Sequence, residues 1–186
     1  MDSNCNFLEV YDDVLSKEEC DKVIEAFESI SPLSGRKVYG SGNAGAKRAT
    51  TLFCDIRSDL FATFNQPVRS VLVKGLTSYK SKYSFLHMTR AWALHPYYNI
   101  QKYEEGQGYF TLHNEQDNEN PSRMLVWMLY LNDAECGTEF PYQDKVTDAK
   151  RGRLVLWPAA WTHPHKGVTP NKGLKYIATG WYCYEK

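Results

Sequence analysis

The stretch Tyr103-Glu-Glu-Gly-Gln-Gly-Tyr-Phe-Thr-Leu-His113-Asn-Glu115, answered far downstream by His165 and Lys175, decides the reading of this chain. In a β-strand, residues i and i+2 point to the same face. His113 and Glu115 therefore bring an imidazole and a carboxylate to one point. A single distant histidine would complete a set of two imidazoles and one carboxylate, which holds a metal on one side and leaves its other positions open. Two histidines qualify for that third place, His163 and His165, which also alternate on one strand face. An H-x-E tripeptide is common by itself, so the weight falls on what surrounds it.

Upstream the pattern is helical. Ser16 and Glu19 form a capping box, and Cys20, Val23, Ile24, Phe27 and Ile30 share one face, so a helix is expected over 16–30. Pro32 and Gly35 should end it. Residues 31–51 are polar and Gly-rich and read as a long loop. A second helical region spans 58–79, with Pro67 opening a new segment at its first turn. From residue 84 onward short aromatic and β-branched runs replace helical periodicity: 85–92, 97–103, 109–113, 124–131, 154–157 and 176–184. Turn residues such as His95-Pro96, Asn132-Asp133 and Arg151-Gly152 separate them. Short strands without intervening helices argue for an antiparallel sandwich or barrel. The expected class is α+β, one domain over 1–186, with a helical part at 1–83 and a strand-rich core at 84–186.

Composition narrows the function. Lys plus Arg and Asp plus Glu are 22 each, so the formal net charge is zero, which argues against nucleic acid and anionic membranes. There is no apolar run long enough to span a bilayer and no secretory signal pattern, and the five cysteines form no C-x-x-C pair. Together these predict a cytoplasmic protein with free thiols. Residues 40–45 match G-x-G-x-x-G, but no βαβ unit frames them, so a loop at the mouth of a site is the better reading. Nothing favours zinc: H-E-x-x-H is absent.

The order of motifs after Tyr97 is more specific. Tyr103-x-x-Gly106 precedes His113-x-Glu115. Then come Met124-Leu-Val-Trp-Met-Leu-Tyr130-Leu-Asn132, Gly137-Thr-Glu-Phe140 and Gly152-Arg-Leu-Val-Leu-Trp-Pro158. His165-x-Gly167, Lys175 and Trp181 close the series. In this order the chain resembles the prolyl 4-hydroxylase-like branch of the Fe(II)/2-oxoglutarate-dependent dioxygenases. Glu115 stands where the family usually has Asp, and Cys136 where it has Gly.

The resemblance implies a double-stranded β-helix, the cupin-like jelly-roll, with the N-terminal helices packed on the major sheet. It implies His113, Glu115 and His165 as iron ligands, the spacing to Lys175 selecting His165 over His163. It further implies Lys175, Tyr103 and Tyr130 as contacts of the cosubstrate 2-oxoglutarate, with ascorbate as an accessory. His163, Trp181 and Arg123 are then expected behind the metal or on the substrate side. Arg90 and the 40–48 loop are further candidates for substrate contact. The implied reaction is hydroxylation of a primary substrate, with a prolyl residue of a peptide or protein as the leading choice. A free amino acid, small metabolite or nucleobase is the alternative, as is a non-catalytic metal-binding jelly-roll. Trp127, Trp157 and Trp161 read as core or wall aromatics.

Overall fold

The computed structural model describes residues 6–34, 36–39 and 45–185. After β1 (Glu9–Tyr11), the Ser16 capping box forms as the sequence predicts. Glu19 N–H donates to Ser16 Oγ at 3.2 Å, and Ser16 N–H donates to Glu19 Oε2 at 3.0 Å. It opens α1 (Lys17–Ser34), whose Cys20, Val23 and Phe27 are fully buried. Each large apolar side chain sealed here contributes about 1.5–3 kcal/mol. The helix runs on through Pro32 into its last turn, at the cost of a single backbone bond.

The expected loop over 31–51 is instead largely a hairpin, β2 (Arg36–Tyr39) and β3 (Arg48–Asp55). β3 alternates buried and open positions and pairs with a central strand, so pairing decided its state where local propensity was weak. The Gly-rich motif falls at residues 40–44, outside the described residues, and Gly45. Next, α2 (Ala62–Lys82) is continuous through Pro67, so no new segment starts there. Only one bond near its N-terminal end is forfeited.

The remaining strands are β4 (Trp92–Leu94), β5 (Tyr97–Tyr103), β6 (Arg123–Tyr130), β7 (Ala134–Phe140), β8 (Lys145–Ala149), β9 (Leu154–Pro158), β10 (Lys166–Gly167) and β11 (Lys175–Tyr184). Of the strand expected over 85–92, residues 85–88 lie in a 3₁₀ turn (Ser84–Met88), and 109–113 make only isolated bridges. Every pairing is antiparallel. The large sheet runs β1-β9-β6-β11-β5-β3-β2, with β4 also on β11, and the small sheet runs β10-β7-β8. Three strands from before residue 84 thus join the large sheet.

β6 shows how the layers are specified. Leu125, Trp127 and Leu129 join the apolar layer beneath α1 and α2, while Val126, Met128 and Tyr130 join Phe140 and Trp157 on the other face. A strand buried on both faces needs an unbroken apolar run, which is what Met124 to Leu131 provides. α2 approaches the sheet at Gly75, where an added Cβ would lie 2.3 Å from Leu154 Cδ2. The helices cover one face of the large sheet and the small sheet shares the other, which is the double-stranded β-helix arrangement.

Candidate metal centre

Two backbone bonds bring the distant halves together. His113 N–H donates to His165 O at 3.0 Å, and His165 N–H donates to His113 O at 2.8 Å. This one antiparallel bridge sets the imidazoles side by side, their ring centroids 4.4 Å apart. The backbone N–H groups of Glu115 and Gln116 both donate to Ala159 O, which pins the carboxylate next to the pair.

Glu115 Oε1 lies 3.5 Å from His113 Nε2 and 3.7 Å from His165 Nε2. All three atoms fall within 4.8 Å of one another. Cis ligands on a first-row divalent ion, with bonds of about 2 Å, sit roughly 3 Å apart. A small inward shift would place all three on one ion, so the residues fit a metal. The tautomers fit as well. His113 Nδ1 faces Thr111 O at 2.9 Å and His165 Nδ1 faces His163 O at 3.0 Å. Both Nδ1 atoms can thus donate to a carbonyl, and each Nε2, on giving up any proton it shares with Glu115, would turn a lone pair toward the cluster. Burial alone would raise the Glu115 carboxyl, but hydrogen bonds and charge from the two histidines hold it well below the carboxylate range.

The ligand cluster opens onto a cavity of ≈ 180 Å³. Its floor is built from two paired strands. Asn99, Gln101 and Tyr103 alternate along β5, and Lys175, Ile177, Thr179 and Trp181 alternate along β11. The register pairs Lys175 with Tyr103, Ile177 with Gln101, and Thr179 with Asn99. The period-2 rule thus carries a whole wall into one site.

Lys175 is only 3% exposed. Its Nζ donates to Val168 O at 3.2 Å and Gly137 O at 3.3 Å, and lies 4.8 Å from the Tyr103 ring centroid. No carboxylate pairs with it among the described residues. Burial lowers its pKa. A buried ammonium with carbonyl and ring partners could receive an anion, so the lining is compatible with a carboxylate-bearing molecule beside the candidate ligands.

The other expected residues are distributed as follows. Tyr103 is buried in the cavity wall and donates to Gln101 Oε1 at 2.6 Å. Tyr130 stands one step back. Its hydroxyl is engaged by Thr138 Oγ1 at 2.8 Å and Thr147 Oγ1 at 3.0 Å, and Thr138 takes the wall position. Arg123 and Trp181 both bond Glu115 Oε2, at 3.0 and 2.9 Å. His163 turns away from the cluster: Nε2 reaches Asn6 O at 2.7 Å and Nδ1 meets Thr162 Oγ1 at 2.9 Å. Arg90 is exposed, outside the cavity lining. Trp157 forms part of the wall, Trp127 is core, and Trp161 is 74% exposed and so no wall residue.

Two wall residues, Thr138 and Tyr109, carried no readable role in the sequence, and a third, Lys47, belongs to the 40–48 loop expected to contact substrate. Thr138 lies inside the Gly137-Thr-Glu-Phe140 motif without advertising its contact. Tyr109 stacks on His113, with centroids 3.7 Å apart and planes at 16°. Lys47 reaches the cavity through an isolated bridge to Tyr109, its Nζ 5.1 Å from that ring's centroid. Burial, partly offset by the Glu115 charge, brings the Lys47 pKa down to about 8.

Residues 98–183 match the family model described as the 2OG-Fe(II) oxygenase superfamily. No curated protein matches the sequence. Among solved structures, the chain is similar to the viral collagen prolyl hydroxylase of Paramecium Bursaria Chlorella virus-1. The TM-score is 0.70 at 19% identity, over 96% of this chain and 97% of that one. A Pseudomonas putida prolyl-4-hydroxylase gives 0.71 at 14% identity, over 97% and 94%. A Trichoplax adhaerens prolyl hydroxylase, in complex with a hypoxia inducible factor oxygen degradation domain peptide fragment, gives 0.72 at 18% identity, over 97% and 84%.

Proposed function

We propose that this chain, whose residues 98–183 match the 2OG-Fe(II) oxygenase superfamily model, is a 2-oxoglutarate-dependent dioxygenase that hydroxylates a prolyl residue in a peptide or protein. One molecule each of 2-oxoglutarate and dioxygen would be consumed, giving the hydroxylated product, succinate and CO2. Bound Fe(II) with 2-oxoglutarate supplies the oxidising chemistry, and the protein's part is to bind, orient and exclude water. In this reading His113, Glu115 and His165 hold the iron.

The observation that carries the reading is the buried Lys175, paired with no carboxylate among the described residues, on the floor of the cavity that the three candidate ligand atoms face. Lys175 would take the far carboxylate of 2-oxoglutarate, with Thr138 and Tyr103 beside it. Tyr130 would act through Thr138, holding its hydroxyl in place. The prolyl assignment is supported by the prolyl hydroxylases similar in fold over nearly the whole chain, one of them in complex with a peptide fragment.

Lys47 favours a second reading. A partly buried cation at the same cavity would suit a small substrate that carries its own carboxylate, such as a free amino acid. One experiment separates the two. The full chain is incubated with Fe(II), 2-oxoglutarate and oxygen, together with proline-containing peptides, free proline or a panel of amino acids. Succinate release and gain of one oxygen by mass spectrometry are followed. Oxygen gain confined to peptides supports the prolyl-peptide reading. Gain confined to free amino acids replaces it with the second, and silence with every proline compound ends the prolyl assignment.

A further inference from the structure

Glu115 has one methylene more than the aspartate usual in its family, so it has an extra rotor to restrain and a longer reach. The two oxygens of its carboxylate have separate duties. Oε1 faces both imidazole Nε2 atoms, at 3.5 and 3.7 Å. Oε2 accepts from Arg123 Nη1 at 3.0 Å and from Trp181 Nε1 at 2.9 Å. Arg123 also donates to the Glu115 backbone carbonyl at 3.2 Å, and its guanidinium lies 3.7 Å from the Trp181 ring centroid. Arg123 begins β6 and Trp181 lies on β11, and these strands pair with Trp181 opposite Val126. The clamp is therefore carried by two adjacent central strands of the large sheet, with Arg123 at the start of β6 opposite Cys183, while Glu115 itself sits in an irregular segment.

We propose that Arg123 and Trp181 are positioning residues that make Glu115 a one-oxygen ligand and that this clamp is matched to glutamate, not to aspartate. The inference rests on the reading of Glu115 as a metal ligand. Two-oxygen chelation would require Oε2 to give up at least one of its two donors, and a hydrogen bond to a charged group contributes about 1.5–3 kcal/mol. Chelation would also fill a position that the facial arrangement leaves open. An aspartate at 115 is one methylene too short to keep the clamp and still face both imidazoles, so reverting to the residue usual in the family should weaken the site.

The test measures metal alone, without turnover. Mn(II) affinity of the full chain is titrated for wild type, Trp181→Phe, Arg123→Gln, Glu115→Asp and Glu115→Ala. The visible bands of Co(II) report the coordination number of each. Outer-shell partners of metal ligands typically set affinity by about 10- to 100-fold. Trp181→Phe and Arg123→Gln are each expected to weaken Mn(II) binding about tenfold or more and to change the Co(II) bands. Glu115→Asp should lose at least as much. Wild-type affinity and bands in both Trp181→Phe and Arg123→Gln would overturn the clamp, as would Glu115→Asp binding as tightly as wild type. Mn(II) binding undiminished in Glu115→Ala would instead overturn the ligand assignment beneath it. The two donors are altered separately, so loss of fold in one variant leaves the other to decide.

Discussion

Replacing Lys175 by methionine should move two observables in opposite directions. In the cosubstrate-free chain the ammonium is 3% exposed and has only two carbonyls, at 3.2 and 3.3 Å, and the Tyr103 ring for company. Those contacts recover little of the hydration it gave up. Methionine keeps the length and apolar body of the side chain and removes the charge. The cosubstrate-free variant should therefore be more stable by about 1 kcal/mol or more, which in a domain of this size raises Tm by roughly 2–4 °C per kcal/mol.

Binding of 2-oxoglutarate should suffer at the same time. Removing one member of a buried, hydrogen-bonded charge pair costs about 2–5 kcal/mol. At about 1.4 kcal/mol per factor of ten, that is a loss from roughly 30-fold to a few thousand-fold in affinity. The assay is anaerobic calorimetric titration of 2-oxoglutarate into the metal-loaded protein, beside thermal melting of both chains without cosubstrate. A higher Tm with weaker binding identifies an anion receptor held at a cost to stability. Affinity within a factor of three of wild type would refute the anchoring role. A Tm lowered by several degrees would show that the lysine is a structural part of the β7–β11 contact.

Three further outcomes are expected. His165→Ala and His113→Ala should each abolish iron retention, measured by metal analysis after gel filtration, whereas His163→Ala should keep the metal and show lower thermal stability, because its ring ties residue 163 to Asn6 O. Lys47, with a pKa brought down to about 8 by burial, loses its charge as pH rises through that value; if it binds a substrate carboxylate, KM for that substrate should climb above pH 8 and stay level in Lys47→Arg, and a flat wild-type profile would remove it from substrate binding. Gly137→Ala should be destabilising by about 1–3 kcal/mol, read from the denaturation midpoint, since an added Cβ would meet Thr147 O at 2.2 Å across the small sheet.

The parts of the site legible in the sequence share one property: their geometry is set by residues near them in the chain. The 97–103 strand and the alternation from Lys175 to Trp181 follow from local pattern, and residues 97–103 form β5 as expected; the His113-x-Glu115 spacing names its pair, but backbone bonds to His165 and Ala159, not a strand, bring the two side chains together. Misreadings fall where distant pairing overrides weak local preference. β2 and β3 exist because β3 pairs with β5, and Tyr109 to His113 is not a strand because only isolated bridges tie it down. Within the 40–48 loop expected to contact substrate, Lys47 could not be singled out for the same reason, since what brings it to the cavity is a single bridge to Tyr109.

Glu115 shows the limit most clearly. Its position in the motif marks it as a ligand, yet which of its oxygens is free depends on Arg123 and Trp181, contributed by two strands that meet only in the folded sheet. A tripeptide motif can name the atoms offered to a metal, but it cannot count how many of them the surroundings leave available. In this chain that count bears directly on chemistry. An Oε2 released from its donors could compete for a coordination position that the cosubstrate or dioxygen requires. The longer carboxylate is therefore tolerable only together with its clamp. Residues 115, 123 and 181 should accordingly behave as one unit: in double-variant cycles on Mn(II) affinity, Arg123→Gln and Trp181→Phe should be non-additive in the Glu115 background and have smaller effects in the Glu115→Asp background.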